Sequence, residues 1–323
     1  MFAMTKRALR AAVMISLAVL LISVTADSAA TVLGPAAGTP RPVLLTLFTG
    51  GATLLRGAAS AISGHSGDRL GNGDTVLTGA DSKASLLYPD GSMTRLDSDT
   101  TVTVHVGGGT QLQQSTGLTW NRVQTLVGSQ RFTISGPNST TAEVRGTEFG
   151  YYVEHDPAGN PLIWVDVWSG AVQVSGATGP PVTGTTGQRV TVRLGAAPTT
   201  PVPIPLSDTQ LAFTVFNRAL NAITGTPVAF ADGTLSAGGT SAPGSVRADG
   251  RSDLEFVLAW PGSSYRLTVR DPSGAVLAAS SSSTPPVVVR APRARAGVWT
   301  YTVDDLDSPP AEAWWVVVGQ TPR

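Results

Sequence analysis

Short runs in which apolar and polar residues alternate recur along most of the chain, and this period of two limits its fold more than any other feature. Alternate side chains of a β-strand point to opposite faces of a sheet, so such runs predict strands with one buried face. Between the runs lie turns rich in glycine and proline, of which the 323 residues include 36 and 23. Both residue types are poor in helices and common in tight turns. The sequence therefore predicts an all-β protein made of many short strands.

The composition excludes several functional classes. The chain has no cysteine, which rules out disulfide bonds, thiolate metal sites and a cysteine nucleophile. The 22 Lys and Arg residues are balanced by 22 Asp and Glu residues, so no net charge favours nucleic acid or an anionic membrane surface. Stability has to come from burial, which two domains of this size can provide.

The first 30 residues have the layout of a secretory signal peptide. Lys6, Arg7 and Arg10 form a basic start, an uncharged apolar run follows at 11–24, and Ser28-Ala29-Ala30 offers small residues for cleavage. The run is shorter than the roughly 20 residues that a spanning helix needs, which favours cleavage over an uncleaved anchor. In either case the protein is expected to be exported, to an extracellular, periplasmic or cell-surface location, and to contact a membrane only through residues 1–30. Residues 31–44 read as a linker rich in Gly, Pro and Ala.

Residues 45–195 are expected to form one β-domain. Pro89-Asp90-Gly91-Ser92 combines the residues that favour a tight turn and lies between two alternating runs. Ser169-Gly170 separates two further runs by two residues, which predicts a β-hairpin. No helical period occurs inside this region.

Five segments of this region resemble, in the same order, the motifs of the FecR domain family. They are 67–79, 84–92, 120–123, 142–149 and 165–172, and the most specific is Val144-Arg145-Gly146-Thr147-Glu148-Phe149. The resemblance implies an outward-facing β-domain. The best-known members of the family relay an external signal to a sigma-factor system through a cytoplasmic segment ahead of their membrane helix. Only Met1–Arg10 precede the apolar run here, so that output is expected to be missing.

The block 144–149 poses a geometric problem. Val144 and Phe149 are separated by an odd number of residues, so a regular strand would place them on opposite faces. A β-bulge at Gly146 would reset the phase and bring both side chains into the core. Arg145 and Glu148 would then share the other face, close enough to form an ion pair. We therefore interpret the block, with Thr147 inside it, as a structural corner; a recognition surface is the alternative.

Trp164, Asp166 and Trp168 are the candidate partner-binding residues. They occupy the face of a strand opposite to Ile163, Val165 and Val167. Two exposed aromatic rings that flank a carboxylate could stack on a sugar ring or hold a partner protein. The alternative is a strand that is buried on both faces.

Beyond this domain, residues 196–206 are rich in Pro and Thr and predict a linker. A capping box at Ser207 to Gln210 begins a predicted helix at 207–225, which ends at Gly225. Its apolar face includes Phe213 and Phe216, which are expected to be buried against a neighbouring domain. Residues 226–245 read as a second linker.

Residues 246–323 are expected to form a β-sandwich of six short strands. Segments 253–256, 260–263, 267–274 and 297–303 resemble a bacterial pre-peptidase C-terminal domain. Such domains accompany secreted proteins and carry no catalytic machinery of their own. Trp260, Trp299 and one of Trp314 and Trp315 are expected in its core.

A search for catalytic chemistry finds no candidate. His65, His105 and His155 have no metal-ligand spacing, and no nucleophile, phosphate-loop or zinc motif occurs. Asp304, Asp305, Asp307 and Glu312 offer oxygen atoms that could bind Ca²⁺, although a solvated turn is favoured. No enzyme activity, cofactor, metal site or nucleic-acid partner is expected.

Two functions remain. The favoured one is a non-catalytic, exported cell-envelope protein of the FecR-domain type that binds a protein or a cell-wall glycan. The alternative is a membrane-anchored sensory or regulatory protein of the FecR type that relays an external signal.

Overall fold

The computed structural model describes residues 42–57, 61–106, 109–125, 131–204, 208–307 and 311–323. The export segment predicted at 1–30 and the capping residue Ser207 lie outside the described residues. Strands account for most of the described chain, so the all-β prediction is confirmed. Residues Pro42–Arg323 form one unit, which contains two β-lobes and the α-helix α1 at Asp208–Ala222.

The N-terminal lobe consists of two sheets that share one long strand. Sheet A contains β1 (Val43–Thr49), β4 (Arg69–Leu70), β6 (Lys83–Leu87), β7 (Met93–Leu96), β9 (Thr110–Arg122), β12 (Glu148–His155), β13 (Pro161–Ser169), β16 (Gln188–Arg193) and β17 (Val202–Pro203). Sheet B contains β2 (Ala52–Arg56), β3 (Ile62–Gly64), β5 (Asp74–Thr78), β8 (Thr101–Val106), the first half of β9, β10 (Phe132–Ser135), β11 (Thr141–Val144), β14 (Ala171–Ser175) and β15 (Val182–Thr185).

The pairing is antiparallel throughout except for β9 with β10. The spatial order in sheet A is β4-β1-β6-β7-β9-β12-β13-β16-β17. In sheet B it is β3-β2-β5-β8-β9-β10-β11-β14-β15.

Strand β9 passes from sheet B to sheet A at Gly117. This glycine has a φ of +85°, and a Cβ atom built on it would lie 2.5 Å from the Cα atom of Thr100. Only glycine tolerates both the positive φ and the close approach of the backbone. Because one strand belongs to both sheets, the two layers are tied together in the middle of the lobe.

The first hydrophobic core lies between sheets A and B. Both sheets contribute aliphatic residues that alternate along their strands, together with Tyr88, Phe132, Phe149 and Tyr151. The turn predicted at 89–92 is present between β6 and β7, where Gly91 has a φ of +84° and the Ser92 N–H donates to Asp90 Oδ1 over 2.8 Å.

Two corners carry the chain between the sheets near residues 146 and 170. Strand β11 in sheet B ends at Val144 and β12 in sheet A begins at Glu148, so the interruption is a change of sheet. Gly146 has a φ of +96°, and both Val144 and Phe149 are buried in the first core. The second corner, at Gly170, lies against the first, since Thr147 Oγ1 donates to the Ala171 carbonyl over 3.0 Å.

The hairpin prediction at Ser169-Gly170 is therefore wrong. Strand β13 pairs with β12 and β16 in sheet A, whereas β14 pairs with β11 and β15 in sheet B. The turn residues were read correctly, with a φ of +86° at Gly170, but the strands that they join belong to different layers.

The C-terminal lobe is a sandwich of two four-stranded antiparallel sheets. Sheet C has the order β18 (Thr226–Leu235), β25 (Glu312–Pro322), β20 (Ser252–Ala259) and β23 (Val287–Ala291). Sheet D has the order β19 (Gly244–Ala248), β24 (Gly297–Asp305), β21 (Tyr265–Arg270) and β22 (Val276–Ser282). The second core lies between them and includes Trp260, Trp299 and Trp314, as predicted.

Residues 226–245, which the sequence predicts as a linker, contain strand β18 and the first two residues of β19. The C-terminal lobe therefore has eight strands rather than the expected six. The composition of β18 is poor for a strand, because it includes Pro227 and Gly233. It forms because it pairs with β25 over most of its length, from Thr226 opposite Gln320 to Leu235 opposite Glu312. Tertiary pairing overrides a weak local preference here.

Helix α1 lies between the two lobes and forms a third core with both. Its contribution includes Phe213, Phe216 and Leu220, and both lobes supply further side chains. The prediction that Phe213 and Phe216 are buried against a neighbouring domain is confirmed, since their exposed fractions are 1% and 0%. The members from the lobes are Leu118, Trp120 and Tyr152 of sheet A and Val257, Ala259, Trp315 and Val317 of sheet C.

The helix ends at Ala222, three residues before the predicted stop at Gly225. Gly225 has no left-handed φ, so it is not a helix-terminating glycine of the expected kind. A Cβ atom on it would lie 2.7 Å from the Gln320 carbonyl oxygen. The lack of a side chain at Gly225 therefore allows the backbone to lie close to β25.

Candidate functional site

One row of paired residues crosses sheet A on the face that points away from the first core. We call this face the outer face of sheet A. Cross-strand partners share a face of a sheet, so register alone brings these side chains together. The row runs through Arg95, Trp120, Gly150, Asp166 and Arg189, each opposite the next.

Asp166 and Arg189 form a buried ion pair at one end of this row. Arg189 Nε and Nη2 donate to the two carboxylate oxygens over 2.5 Å each, and Asp166 has no exposed surface. Burial raises the pKa of the Asp166 carboxyl, while the hydrogen bonds and charge of Arg189 oppose that rise. The guanidinium also lies 4.9 Å from the ring centre of Trp164, a favourable cation–π distance.

The predicted binding face at Trp164, Asp166 and Trp168 is thus an internal one. The three residues do lie opposite to Ile163, Val165 and Val167, as expected. Both rings are half-buried and pack against the third core, and the carboxylate between them is engaged by Arg189. The pattern of alternate aromatic residues was read correctly, but two exposed rings around a free carboxylate are not present.

Trp168 stacks on Trp120, with ring centres 5.0 Å apart and planes inclined by 15°. Beside them, Tyr152 is fully buried, and burial raises the pKa of its hydroxyl. A Cβ atom on Gly150 would lie 2.1 Å from this hydroxyl oxygen. The missing side chain at Gly150 therefore provides the space that Tyr152 occupies.

Arg95 connects sheet A to helix α1. Its Nη1 atom donates to Asn217 Oδ1 over 3.0 Å and to Asn221 Oδ1 over 2.8 Å. Burial lowers the pKa of Arg95 to about 10, although the nearby carboxylate of Glu148 opposes this shift. Glu148 Oε1 in turn accepts hydrogen bonds from Asn221 Nδ2 over 2.5 Å and from Trp120 Nε1 over 2.6 Å. The result is one polar network across the boundary between sheet and helix.

The predicted ion pair between Arg145 and Glu148 is wrong, because Glu148 belongs to this network. Among the described residues no ion pair joins the two, because Glu148 is turned toward Trp120 and the helix while Arg145 is exposed. The corner interpretation of 144–149 agrees with the burial of Val144 and Phe149. The block also supplies Glu148 to the interface, a contact that the sequence did not predict.

Lys83 forms the second polar contact of the interface. It is paired with Asp97, and both side chains are nearly buried. Its ammonium group lies 5.3 Å from the ring centres of Phe216 and Trp315, one on α1 and the other on sheet C. Asp232 of β18 is close enough for Lys83 to lower its pKa, yet burial has the larger effect and raises it.

The sequence offered weak signals for the residues that it missed. Asn217 and Asn221 are polar residues four positions apart on an otherwise apolar helix stripe, a spacing that places them on one face. Arg95 lies within the short run at 93–96, and Arg189 lies in the same strand as Val190 and Val192, directly before them. Nothing local shows that these positions meet, because the contacts join residues up to 126 positions apart.

The described residues contain no group of three or more His, Asp or Glu side chains that could hold a metal ion. In the acidic turn, Asp304 pairs with Arg266, and Glu312 Oε2 accepts a hydrogen bond from the Ser263 hydroxyl. Within the same part of the chain, no helix has the length and apolar character needed to cross a bilayer.

Comparison with known protein families gives one match, which lies within the N-terminal lobe. Residues 74–173 match the model of the FecR protein family. The matched segment includes Lys83, Arg95, Glu148 and Asp166, whereas Arg189 lies beyond it. The match is narrower than the predicted 45–195, and no family match confirms the resemblance of the C-terminal sandwich to a pre-peptidase C-terminal domain. No curated protein matches the chain.

Solved structures include distant matches. Two crystal structures of a candidate anti-sigma factor from Parabacteroides distasonis share 15% identity with this chain and cover 44% of it, with TM-scores of 0.37. The chain spans 64% of the length of those proteins. SGBP-B of the Bacteroides ovatus mixed-linkage glucan utilization locus, solved in complex with a mixed-linkage heptasaccharide, shares 10% identity over 86% of this chain and 89% of its own, with a TM-score of 0.17. TM-scores this low do not support assigning the function of either protein to this chain.

Proposed function

We propose that this protein is a non-catalytic regulatory protein of the FecR type, which is anchored at a membrane by its N-terminal segment and relays an external signal to a partner protein. The match of residues 74–173 to the FecR protein family carries this proposal. The basic start and apolar run at 6–24 support the export that such a role requires, and anchoring further requires that this segment stays uncleaved.

The third core offers a route by which the C-terminal sandwich would influence the FecR domain. Helix α1 contacts sheet A through Asn217 and Asn221 and sheet C through Phe216. A ligand changes a partner site only if it favours one of two arrangements of the connecting element. We propose that α1 is this connecting element and that its position on the outer face of sheet A is what changes.

The glycan-binding function, which the sequence favoured, loses the site that motivated it. Asp166 is buried against Arg189, and Trp168 is stacked on Trp120. The Asp166 carboxylate is therefore not accessible to a sugar, and one face of the Trp168 ring is already covered. A partner protein is therefore the proposed ligand class.

The test is the fate of residues 1–30 in cells. A C-terminally tagged chain is expected to remain with the membrane fraction at its full mass. The matched control is the S28L/A30L double variant, in which bulky residues block the small-residue cleavage site; wild type and control should have the same mass and location. Release of a wild-type form that lacks residues 1–30 contradicts the anchored regulatory function and favours a secreted binding module.

A further inference from the structure

A groove of about 660 Å³ opens between the C-terminal half of α1 and two loops of the C-terminal sandwich. This volume lies within the range of roughly 300–1,000 Å³ that is common for small-ligand sites. Its floor and walls combine proline rings with hydroxyl and amide groups. The lining residues are Arg218, Asn221, Ala222, Pro261, Gly262 and 283–286.

Among the described residues that line this groove, Arg218 is the one that carries a charge. Its side chain is half-buried, and burial lowers the pKa of its guanidinium group. Among the described residues no carboxylate lies within ion-pair distance of it, whereas Arg189 and Arg290, for example, each contact one. Removing a charge from water is unfavourable unless an opposite charge or hydrogen bonds compensate. An anion in the groove would supply that compensation.

The rest of the lining is suited to a singly charged oxyanion. Ser283 and Thr284 place two exposed loop residues with hydroxyl groups at the groove, and hydroxyls donate hydrogen bonds to carboxylate oxygens. Asn221 is fixed by its bonds to Arg95 and Glu148, so this wall is ordered before a ligand arrives. One guanidinium beside neutral groups balances the single charge of a carboxylate better than the double charge of a phosphate.

We infer that this groove binds a carboxylate-bearing ligand, with Arg218 as its anion contact. The site lies outside the FecR domain at 74–173 and does not depend on the membrane anchoring proposed above. The carboxylate could belong to an acidic saccharide or to the C-terminus of a peptide, and two pairs of probes distinguish these sources. Each pair consists of an acid and its neutral amide, so only the charge differs.

The experiment measures binding of the probes to the purified protein by isothermal titration calorimetry. The probes are D-glucuronate with D-glucuronamide, and N-acetyl-Gly-Ala-Ala with its C-terminal amide. At least one acid is expected to bind saturably. Its amide should bind at least about tenfold more weakly, because charge-assisted hydrogen bonds are roughly twice as strong as neutral ones. Binding of glucuronate alone identifies a saccharide acid, and binding of the peptide acid alone identifies a peptide terminus.

Two variants connect the binding to the groove. Arg218→Gln should weaken binding of the acid probe by about tenfold or more. An unchanged midpoint of urea unfolding checks that the variant is folded. Arg247→Gln, at an exposed arginine of β19, should bind as wild type does. The inference is overturned if neither acid binds, if an amide binds as tightly as its acid, or if Arg218→Gln keeps full affinity in a folded protein.

Discussion

Asp166 has no exposed surface, and both of its carboxylate oxygens accept hydrogen bonds from Arg189. A buried pair of this kind contributes little relative to an apolar pair, but removal of one partner leaves a charge without compensation. Arg131 and Glu143 form the same type of pair at the surface, with exposed side-chain fractions of 47% and 36%. The two pairs differ mainly in burial, which makes them a matched comparison.

Asp166→Ala is expected to lower the free energy of unfolding by about 3–5 kcal/mol, because it leaves Arg189 buried and unpaired. Glu143→Ala should cost less than about 1 kcal/mol, as exposed pairs do. Urea unfolding followed by tryptophan fluorescence measures both values. Similar losses in the two variants would contradict the buried character of the Asp166 pair.

The turn at Asp271 gives a prediction for acid pH. Hydrogen bonds from the Ser273 hydroxyl and from the Ser273 and Ala275 N–H groups lower the pKa of its carboxyl. A carboxyl with a lowered folded-state pKa stabilises the protein above its unfolded-state pKa, and this contribution disappears as the pH falls through the folded-state value. Asp271→Ala should therefore be less stable than wild type at neutral pH.

The difference in urea midpoint between wild type and Asp271→Ala is expected to narrow as the pH falls from about 5 to about 2. Val276→Ala, at an exposed position beyond the same turn, serves as a control whose difference should not vary with pH. A constant difference for Asp271→Ala across this range would show that the ionised carboxylate does not stabilise the turn.

At the scale of the element, the corner at Gly146 requires both a positive φ and the absence of a side chain at one residue. Its φ is +96°, and a Cβ atom would lie 3.1 Å from the Cα atom of Thr125. Gly67 has nearly the same φ, +95°, with no atom within 4 Å of a built Cβ. The second glycine isolates the effect of backbone conformation from that of close packing.

Gly146→Ala is expected to be the more destabilising of the two alanine substitutions. Gly67→Ala should cost about 1–2 kcal/mol, the usual penalty for a side chain in the left-handed region, and Gly146→Ala should cost more because Thr125 has to move. Chemical denaturation of both variants measures the difference. Equal losses would mean that the approach to Thr125 is accommodated without cost.

Local patterns predicted the elements of this fold much better than the pairing between them. The alternation of Ile163, Val165 and Val167 and the turn residues at 89–92 depend only on neighbouring positions, and the structure confirms both. The turn at Ser169-Gly170 was recognised, but its local chemistry is the same whether the next strand joins the same sheet or the opposite one.

The candidate site was predicted only in part, for the same reason. Trp164, Asp166 and Trp168 were placed on the correct face, but their burial depends on α1, Arg189 and Trp120, which are distant in sequence. A solvent-facing and an interface-facing strand have the same alternation, so periodicity does not separate them. The sequence did not single out Arg218, because the absence of a carboxylate beside it among the described residues depends on how the groove is folded.

At the scale of the whole molecule, Phe216 is the side chain on which the third core depends most. It is fully buried, and its ring contacts Phe48 of sheet A and both Phe230 and Trp315 of sheet C. The two lobes are therefore expected to unfold together. Fluorescence and far-UV circular dichroism should report one coincident transition for the wild-type protein.

Phe216→Ala is expected to destabilise the protein by about 3–5 kcal/mol, as other large buried aromatic truncations do. It should also separate the unfolding of the two lobes, so that the two spectroscopic transitions no longer coincide. Leu277→Ala, at a side chain that is 44% exposed, is the control and should stay within about 0.5 kcal/mol of wild type. A single coincident transition in Phe216→Ala would show that other contacts couple the lobes.

The position of β25 also bears on how the protein is made. This strand, Glu312–Pro322, lies between β18 and β20 and supplies Trp314 to the second core and Trp315 to the third. A ribosome produces these residues after the rest of the described chain, so sheet C lacks an inner strand until Glu312–Pro322 has been made. The N-terminal lobe can form its own core earlier. A nascent chain would then have a folded N-terminal lobe beside an incomplete C-terminal sandwich, and the aromatic side chains of α1 would stay exposed to solvent until sheet C forms.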